Sequence, residues 1–407
     1  MKGSKTSRTL AIPEKNSDYH PAIHGPIPLA RPDIGQSELD AIQNVLESGQ
    51  LSRGSALAAF EKAATEQIGA IEAVAVSSGT GGLILALQAL GVKAGDEVIT
   101  VAYTVPATLN AIVALGAVPV LVDIQEHNRG LDPRALAAAI TRRTAAVIPV
   151  HAFGQAASME AIMRICQDTG VPVLEDACEA FGNHFNGQAL GSLGAAGVFG
   201  FYPNKQLTTG EGGLIVTRDH DLAIKIRRLR NNGRTMNGQW LDQAYFGWNF
   251  RLDEMSAALG MAQLRQLPQR LAARRQVANW YDETFDAYLP DIRRPLFTRQ
   301  EAGNTWFAYV VHIPVHRLGL SPPGRFADMD HAMQCVVEKM RAAGIQCGRY
   351  FAPLHRQPAF LKQYEPRSLP VTDRLAVSGL ALPFYPQLTK AQVKYVVSTL
   401  SRLLCHE

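Results

Sequence analysis

Residues 171–217 read VPVLEDACEAFGNHFNGQALGSLGAAGVFGFYPNKQLTTGEGGLIVT. The opening VPVLEDA is a run of branched apolar residues ending on acids, as a buried strand of an α/β sheet does. Asp176 stands at the C-terminal end of that strand, the edge where open α/β sheets bind ligands, and Glu175 and Glu179 flank it. Taken alone, Asp176 fits a helix N-cap with acidic neighbours equally well. Farther on, GVFGFYP and GGLIVT are two strands with no helical stretch between them, so part of the sheet is predicted to be antiparallel. Between them Lys205 occupies a turn crowded by glycines and aromatic residues. A lysine so placed is not a solvated surface side chain. It is a reactive amine, or one bound to a phosphate or an acid.

Upstream, AVAVSS, EVITVAY, VPVLVDI and AAVIPVHAFG are further short apolar strands. Helices are predicted from about residue 35 or 37 to Gly49, over 56–68 and 80–90, near 107–115, and over 158–169. Asp132 and Pro133 open another as N-cap and first-turn proline. This alternation predicts an α/β fold whose largely parallel sheet is covered on both faces. Downstream, 218–231 is a basic helix, 252–288 a long helical stretch interrupted at Pro268, and WFAYVVHIPV a strand. Helices over 329–343, stopped by Gly344, and 390–404 complete the chain. The predicted organisation is a flexible arm over 1–25, a larger domain over 26–267 and a smaller α+β domain over 268–407. No internal repeat is visible.

Apolar residues make up 47% of the 407 and charged residues 19%, which describes a globular protein and excludes disordered and fibrous classes. The net charge of +4 is too small for a nucleic-acid footprint, though it suits an anionic substrate. Five cysteines are scattered without CxxC spacing, which predicts reduced thiols in a cytoplasm and neither a disulfide framework nor a metal site. Cys178 reads as a small residue filling space. Residues 98–122 lack charge over a length that could span a bilayer, but Pro106, Asn110, Gly116 and Pro119 interrupt them. A buried strand–helix–strand is the expected reading. The polar N-terminal segment has no signal-peptide core.

VSSGTGGLILALQAL is strand, tight turn and helix, a cradle for phosphate built from turn amides and a helix N-terminus, with the Thr80 hydroxyl beside it. The chain contains no GxGxxG and no GxxxxGK[ST] fingerprint. Such a cradle, an aspartate at a strand end and a lysine in a glycine-rich turn are what pyridoxal 5'-phosphate (PLP) chemistry requires. The lysine would hold the cofactor aldehyde, and the aspartate would keep the pyridine nitrogen protonated.

With SSGTGGLILAL, GDEVITVAYTVPATLNAI, PVHAFGQ, EDACEAFG, FYPNKQLTTGEGG, GWNFRLDEMSAALGMAQL and YFAPLHRQPAF in this order, the chain resembles the DegT/StrS sugar-nucleotide aminotransferases, from about residue 27 to its end. The resemblance implies the fold of type I PLP-dependent transferases. It implies that Lys205 bonds the cofactor and shuttles the proton, and that Asp176 pairs with the pyridine nitrogen. Glu179 would neighbour the ring hydroxyl, and Gly79, Thr80 and Gly81 would hold the phosphate. Asn249 would reach the phosphate from the other subunit of a homodimer with shared active sites; by itself it reads as a helix N-cap. Tyr350 and His355 fall where the smaller domain meets substrate, and His355 reads equally well as a structural loop residue. His151 and His184 are expected to be structural. The chain departs from many relatives at Val105 (a stacking aromatic), Gly200 (a phosphate-binding serine) and Ala195 (an acid). The implied reaction moves an amino group from glutamate or glutamine, through pyridoxamine 5'-phosphate, to a nucleotide-linked keto-deoxysugar. Amination of a cyclitol or aminohydroxybenzoate precursor, or PLP or sugar binding without turnover, are the alternatives.

Overall fold

The computed structural model describes residues 25–235, 242–295, 305–321, 325–365 and 367–404. The expected arm over 1–25 lies outside these except for Gly25. Helices α1 (Gln36–Ser48) and α2 (Ser55–Ile68) lead into the sheet. Gly49 and Gly69 end them with φ of 69° and 68°, a left-handed cap that glycine adopts without a Cβ clash. Strand and helix then alternate through β1 (Glu72–Val76), α3 (Gly79–Ala89), β2 (Glu97–Val101), α4 (Pro106–Ala114), β3 (Val118–Val122), α5 (Pro133–Ala139), β4 (Thr144–Val147), α6 (Met159–Thr169) and β5 (Leu174–Asp176). The charge-free stretch over 98–122 is thus β2, α4 and β3, a buried strand–helix–strand. As expected, Asp132 caps α5 by accepting from the Arg134 amide at 2.9 Å.

A small hairpin, β6 (His184–Phe185) and β7 (Gln188–Ala189), precedes β8 (Ala196–Gly200) and β9 (Gly213–Thr217). Parallel bridges from Val147 to Val173 and from Val150 to Asp176 join the two halves of the sheet. The resulting order is β1–β9–β8–β5–β4–β2–β3, with β9 antiparallel to both its neighbours and the other pairs parallel. The predicted antiparallel element is therefore β9. Every residue of β8 and β9 is buried, as strands covered on both faces must be.

Helices α7 (His220–Arg230), α8 (Glu254–Arg265) and α9 (Leu267–Tyr288) follow. The break expected at Pro268 falls at Gln266, because a proline in the first helical turn has no intrahelical bond to lose. Strand β10 (Tyr309–His312), helices α10 (Phe326–Ala342), α11 (Pro358–Leu361) and α12 (Pro370–Ser378), strand β11 (Gly379–Leu382) and α13 (Lys390–Leu404) form the smaller lobe. Helix α9 belongs to both lobes. Leu267 packs with Phe60 and Phe201 of the larger lobe, whereas Val277, Tyr281 and Phe285 pack with β10, α10 and α13. Ile27 falls at the start of the range expected for the larger domain, yet it pairs with Ile345 in the core of the smaller lobe.

Alternation along β5 sends Glu175 and Asp176 to opposite faces. Glu175 is fully buried and accepts from the amides of Gly191, Leu193 and Gly194, at 2.7–2.8 Å, and pairs with His151 at 2.9 Å. The Ala157 amide donates to Nδ1 of His151, which leaves the ring proton on Nε2, pointing at Glu175. Both residues are structural. Glu175→Ala strands these buried donors and should lower the unfolding free energy by about 3–5 kcal/mol. Denaturant unfolding indistinguishable from that of the parent protein would contradict this reading.

Candidate active site

A cavity of about 580 Å³ opens beyond the C-terminal ends of the parallel strands, where the larger lobe meets the smaller. Its floor is set by backbone packing. A Cβ on Gly79 would lie 2.9 Å from Cys178 Sγ, and one on Gly213 would lie 2.8 Å from the Gly79 amide nitrogen. Only glycines let the first turn of α3 sit this close to β8 and β9. The helix is capped by Ser78, whose Oγ accepts from the Gly81 amide at 3.0 Å, and the Gly82 amide bonds to the Ser78 carbonyl. The amides of Gly79 and Thr80 precede these and have no acceptor within the helix, so they are the donors an anion would meet. Gly79, Thr80 and Ser78 line the cavity; Gly81 does not. Gly81 differs from expectation because its amide belongs to the cap and a Cβ there would lie 3.1 Å from the Phe250 ring.

Asp176 lies on the cavity wall and is 4% exposed. Its Oδ2 accepts from Thr108 Oγ1 at 2.7 Å, and its Oδ1 accepts from the Cys178 amide at 3.2 Å. No helix begins after it, so the capping alternative does not apply; the Cys178 contact is a local turn. A carboxylate has acceptor positions beyond these two bonds, enough to hold one more proton donor.

Lys205 Nζ lies 3.4 Å from Glu179 Oε1 and 4.1 Å from the centroid of the Phe307 ring. Burial raises the pKa of Glu179, and the Lys205 charge works against that rise. The second oxygen of Glu179 accepts from the Phe153 amide at 2.7 Å. Phe153 has φ of 59°, a conformation costing a bulky residue about 1–3 kcal/mol, and it persists because this buried bond and the surrounding ring packing hold it. Burial, followed by the charge of Asp176, pushes the Cys178 thiol pKa up. Cys178 is accordingly a space-filler against Gly79 and Gly200.

Tyr350 lines the cavity, and its carbonyl accepts from Tyr103 Oη at 2.8 Å. His355 does not line it: the ring is 3% exposed and lies 3.1 Å from Asp373. Val105 and Gly200 are on the wall, while the Ala195 amide is bonded to Val173 within the sheet. Asn249 is exposed, bridges to Asn231 and lies off the cavity; the cap of α8 is Asp253. His184 sits in the β6–β7 hairpin. Sequence reasoning missed Thr108, Phe307 and Asn204. Thr108 stands two residues from Pro106 in a helix with no polar periodicity, and Phe307 was read only as part of a strand.

Among the described residues no cluster of metal-ligating side chains occurs, no helix is long and apolar enough to cross a membrane, and Cys166, Cys178, Cys335 and Cys347 are unpaired. The DegT/DnrJ/EryC1/StrS aminotransferase family model matches residues 32–401. The spore coat polysaccharide biosynthesis protein SpsC of Bacillus subtilis is 35% identical over 91% of this chain and 95% of its own length. GDP-perosamine synthase of Caulobacter vibrioides is also 35% identical, over 93% of this chain and 98% of its own. Among solved structures, S. venezuelae DesV in complex with a ketimine intermediate superposes with a TM-score of 0.81 at 32% identity, over 91% of this chain and 95% of that one. With the family model covering nearly the whole chain, in which Lys205 and Asp176 line one cavity, this protein belongs to the DegT/DnrJ/EryC1/StrS aminotransferase family.

Proposed function

We propose that the protein moves an amino group from glutamate or glutamine to the ketone of a nucleotide-linked keto-deoxysugar, in the cytoplasm, to make an amino sugar for a polysaccharide or glycoconjugate. The observation that carries this reading is the convergence of Lys205, Asp176, Glu179 and the α3 N-terminus on one cavity. These residues fit PLP: an amine for its aldehyde, a buried acceptor for its protonated ring nitrogen, and two helix-terminal amides for its phosphate. When bound, PLP supplies a carbon that the amino group can join and a ring that takes up the electron pair left when a proton departs.

Lys205 Nζ would hold the cofactor and, once released, carry the proton between the amino-bearing carbon of the substrate and the former aldehyde carbon of the cofactor. Glu179 and Phe307 limit where that nitrogen can go: the carboxylate draws it from one side and the ring face from the other. Asp176 would keep the ring nitrogen protonated, with Thr108 orienting its Oδ2. Tyr350, Asn204 and Phe307 line the cavity beside Lys205. Support for the sugar acceptor comes from the relatives, one named for spore coat polysaccharide and one for GDP-perosamine.

Borohydride reduction of the PLP-loaded protein should fix the cofactor on Lys205, located by peptide mapping. In a separate sample left unreduced, glutamate or glutamine alone should yield one equivalent of the corresponding oxo acid per site. Label on another lysine, or no oxo acid with either donor, would refute the assignment.

Asp176→Asn should retain cofactor but cut turnover by about 100-fold or more, since a neutral partner no longer favours the protonated ring. Thr108→Val should cost about tenfold, one hydrogen bond to a charged group. Near-parental rates in Asp176→Asn would return this aspartate to a purely local turn.

We further propose a homodimer in which Asn249 serves the partner's site. Asn249 cannot serve its own cavity from its exposed position, and it sits beside a concentration of cations. The pKa of Arg251 is lowered by burial and then by Arg234, Arg53 and Arg230, a crowding that suits phosphate groups brought by a second subunit. Lys205→Ala and Asn249→Ala proteins, each impaired alone, should regain activity when mixed and allowed to exchange subunits, because one of the two sites becomes intact. Failure to regain activity in proven heterodimers would exclude shared sites.

A further inference from the structure

A buried arginine outside the catalytic set touches both walls of the Lys205 cavity. Arg274, on α9, is 3% exposed, and among the described residues no carboxylate lies within ion-pairing distance. Burial lowers its pKa to about 10, so it remains a cation near neutrality. Its Nη2 donates to the carbonyls of Lys205 at 3.1 Å and Asn204 at 3.4 Å. Its Nη1 donates to the carbonyls of Trp306 at 3.1 Å and Phe307 at 3.3 Å. Trp306 has φ of 45°, a left-handed conformation unfavourable for a bulky residue, at the very carbonyl that Arg274 holds. A buried charge without an ion-pair partner costs several kcal/mol, and here four backbone carbonyls, the more distant Asp33 charge and the Phe384 ring at 5.7 Å offset it. Such a cation is a poor contributor to stability, so its placement calls for another explanation.

We propose that Arg274 is a positioning residue: by tying the Lys205 turn to the Phe307 backbone, it fixes Lys205 Nζ against the Phe307 ring and Glu179. The guanidinium is suited to this because its planar fork offers donors in two fixed directions, one for each segment. An ammonium group can satisfy one pair of carbonyls well but not both. This proposal rests on Lys205 being the cofactor lysine.

Arg270, one helical turn earlier on α9, supplies the control. It is equally buried, but it pairs with Glu38 and Asp33 and makes no hydrogen bond to the Lys205 turn among the described residues. The measurement is the pH midpoint of the cofactor–lysine absorption band in PLP-loaded protein, together with the rate at which that band forms on adding PLP to apoprotein. In Arg274→Lys the midpoint should move by about 0.5 pH unit or more, roughly a threefold change in proton affinity, and the band should form about tenfold more slowly. Arg270→Lys should lose a comparable amount of thermal stability with both quantities unchanged. Phe307→Leu should shift the midpoint too, and adding Arg274→Lys to it should shift it little further, since the two act through one contact. An unchanged midpoint and rate in Arg274→Lys, or equal changes in both arginine variants, would overturn the proposal while leaving the assignment of Lys205 intact. A parent protein that forms no band at Lys205 would sink both.

Discussion

The carboxylate of Glu175 gathers three loop amides and the Nε2 proton of His151 in a region from which water is excluded. A buried charge held this way tolerates no slippage, because a shift of one residue along β5 would place Glu175 in the cavity and Asp176 in the core. The register of β5 is therefore specified by its structural acid, and the position of Asp176 on the cavity wall follows from strand alternation. The neighbouring β8 then brings Gly200 and the Lys205 turn to the same edge. Chemistry at this site depends on a contact that never meets a substrate.

The positions legible from sequence were those whose surroundings are local. Lys205 sits between its own glycines, Asp176 ends its own strand, and Gly79 and Thr80 open a helix straight after a strand. For these the short-range pattern already fixes the backbone geometry. Gly81 is expected at the phosphate only through the family resemblance. It is set apart by Ser78, three residues back, whose hydroxyl takes the amide that a phosphate would need.

What the sequence did not reveal is built from long-range pairs. Thr108 meets Asp176 from helix α4, Phe307 meets Lys205 from the other lobe, and Arg274 reaches both segments from the long helix α9. No periodicity encodes such contacts. His355 illustrates the converse: a histidine in a motif-rich loop is turned toward Asp373 by the packing of that loop, and chain position alone does not reveal this. Ile27 was assigned to the wrong lobe for the same reason, since its partner Ile345 lies at the far end of the chain.

The junction between the lobes carries the remaining constraint. Phe153, Phe307, Tyr350, Phe351 and Tyr103 form a continuous set of stacked and edge-on rings beneath the cavity, and this set merges into a core shared by β2 of the larger sheet and Val310 and Ala381 of the smaller. Close-packed interiors do not deform continuously, so this wall acts as a fixed reference. Phe307 is part of it through its ring and is held by Arg274 through its carbonyl. Lys205 is held by the same guanidinium and faces the same ring. The Lys205 nitrogen is thereby referenced to the shared core and not merely to its own turn, as the proton-carrying role proposed for it requires if donor and acceptor are to find it in the same place.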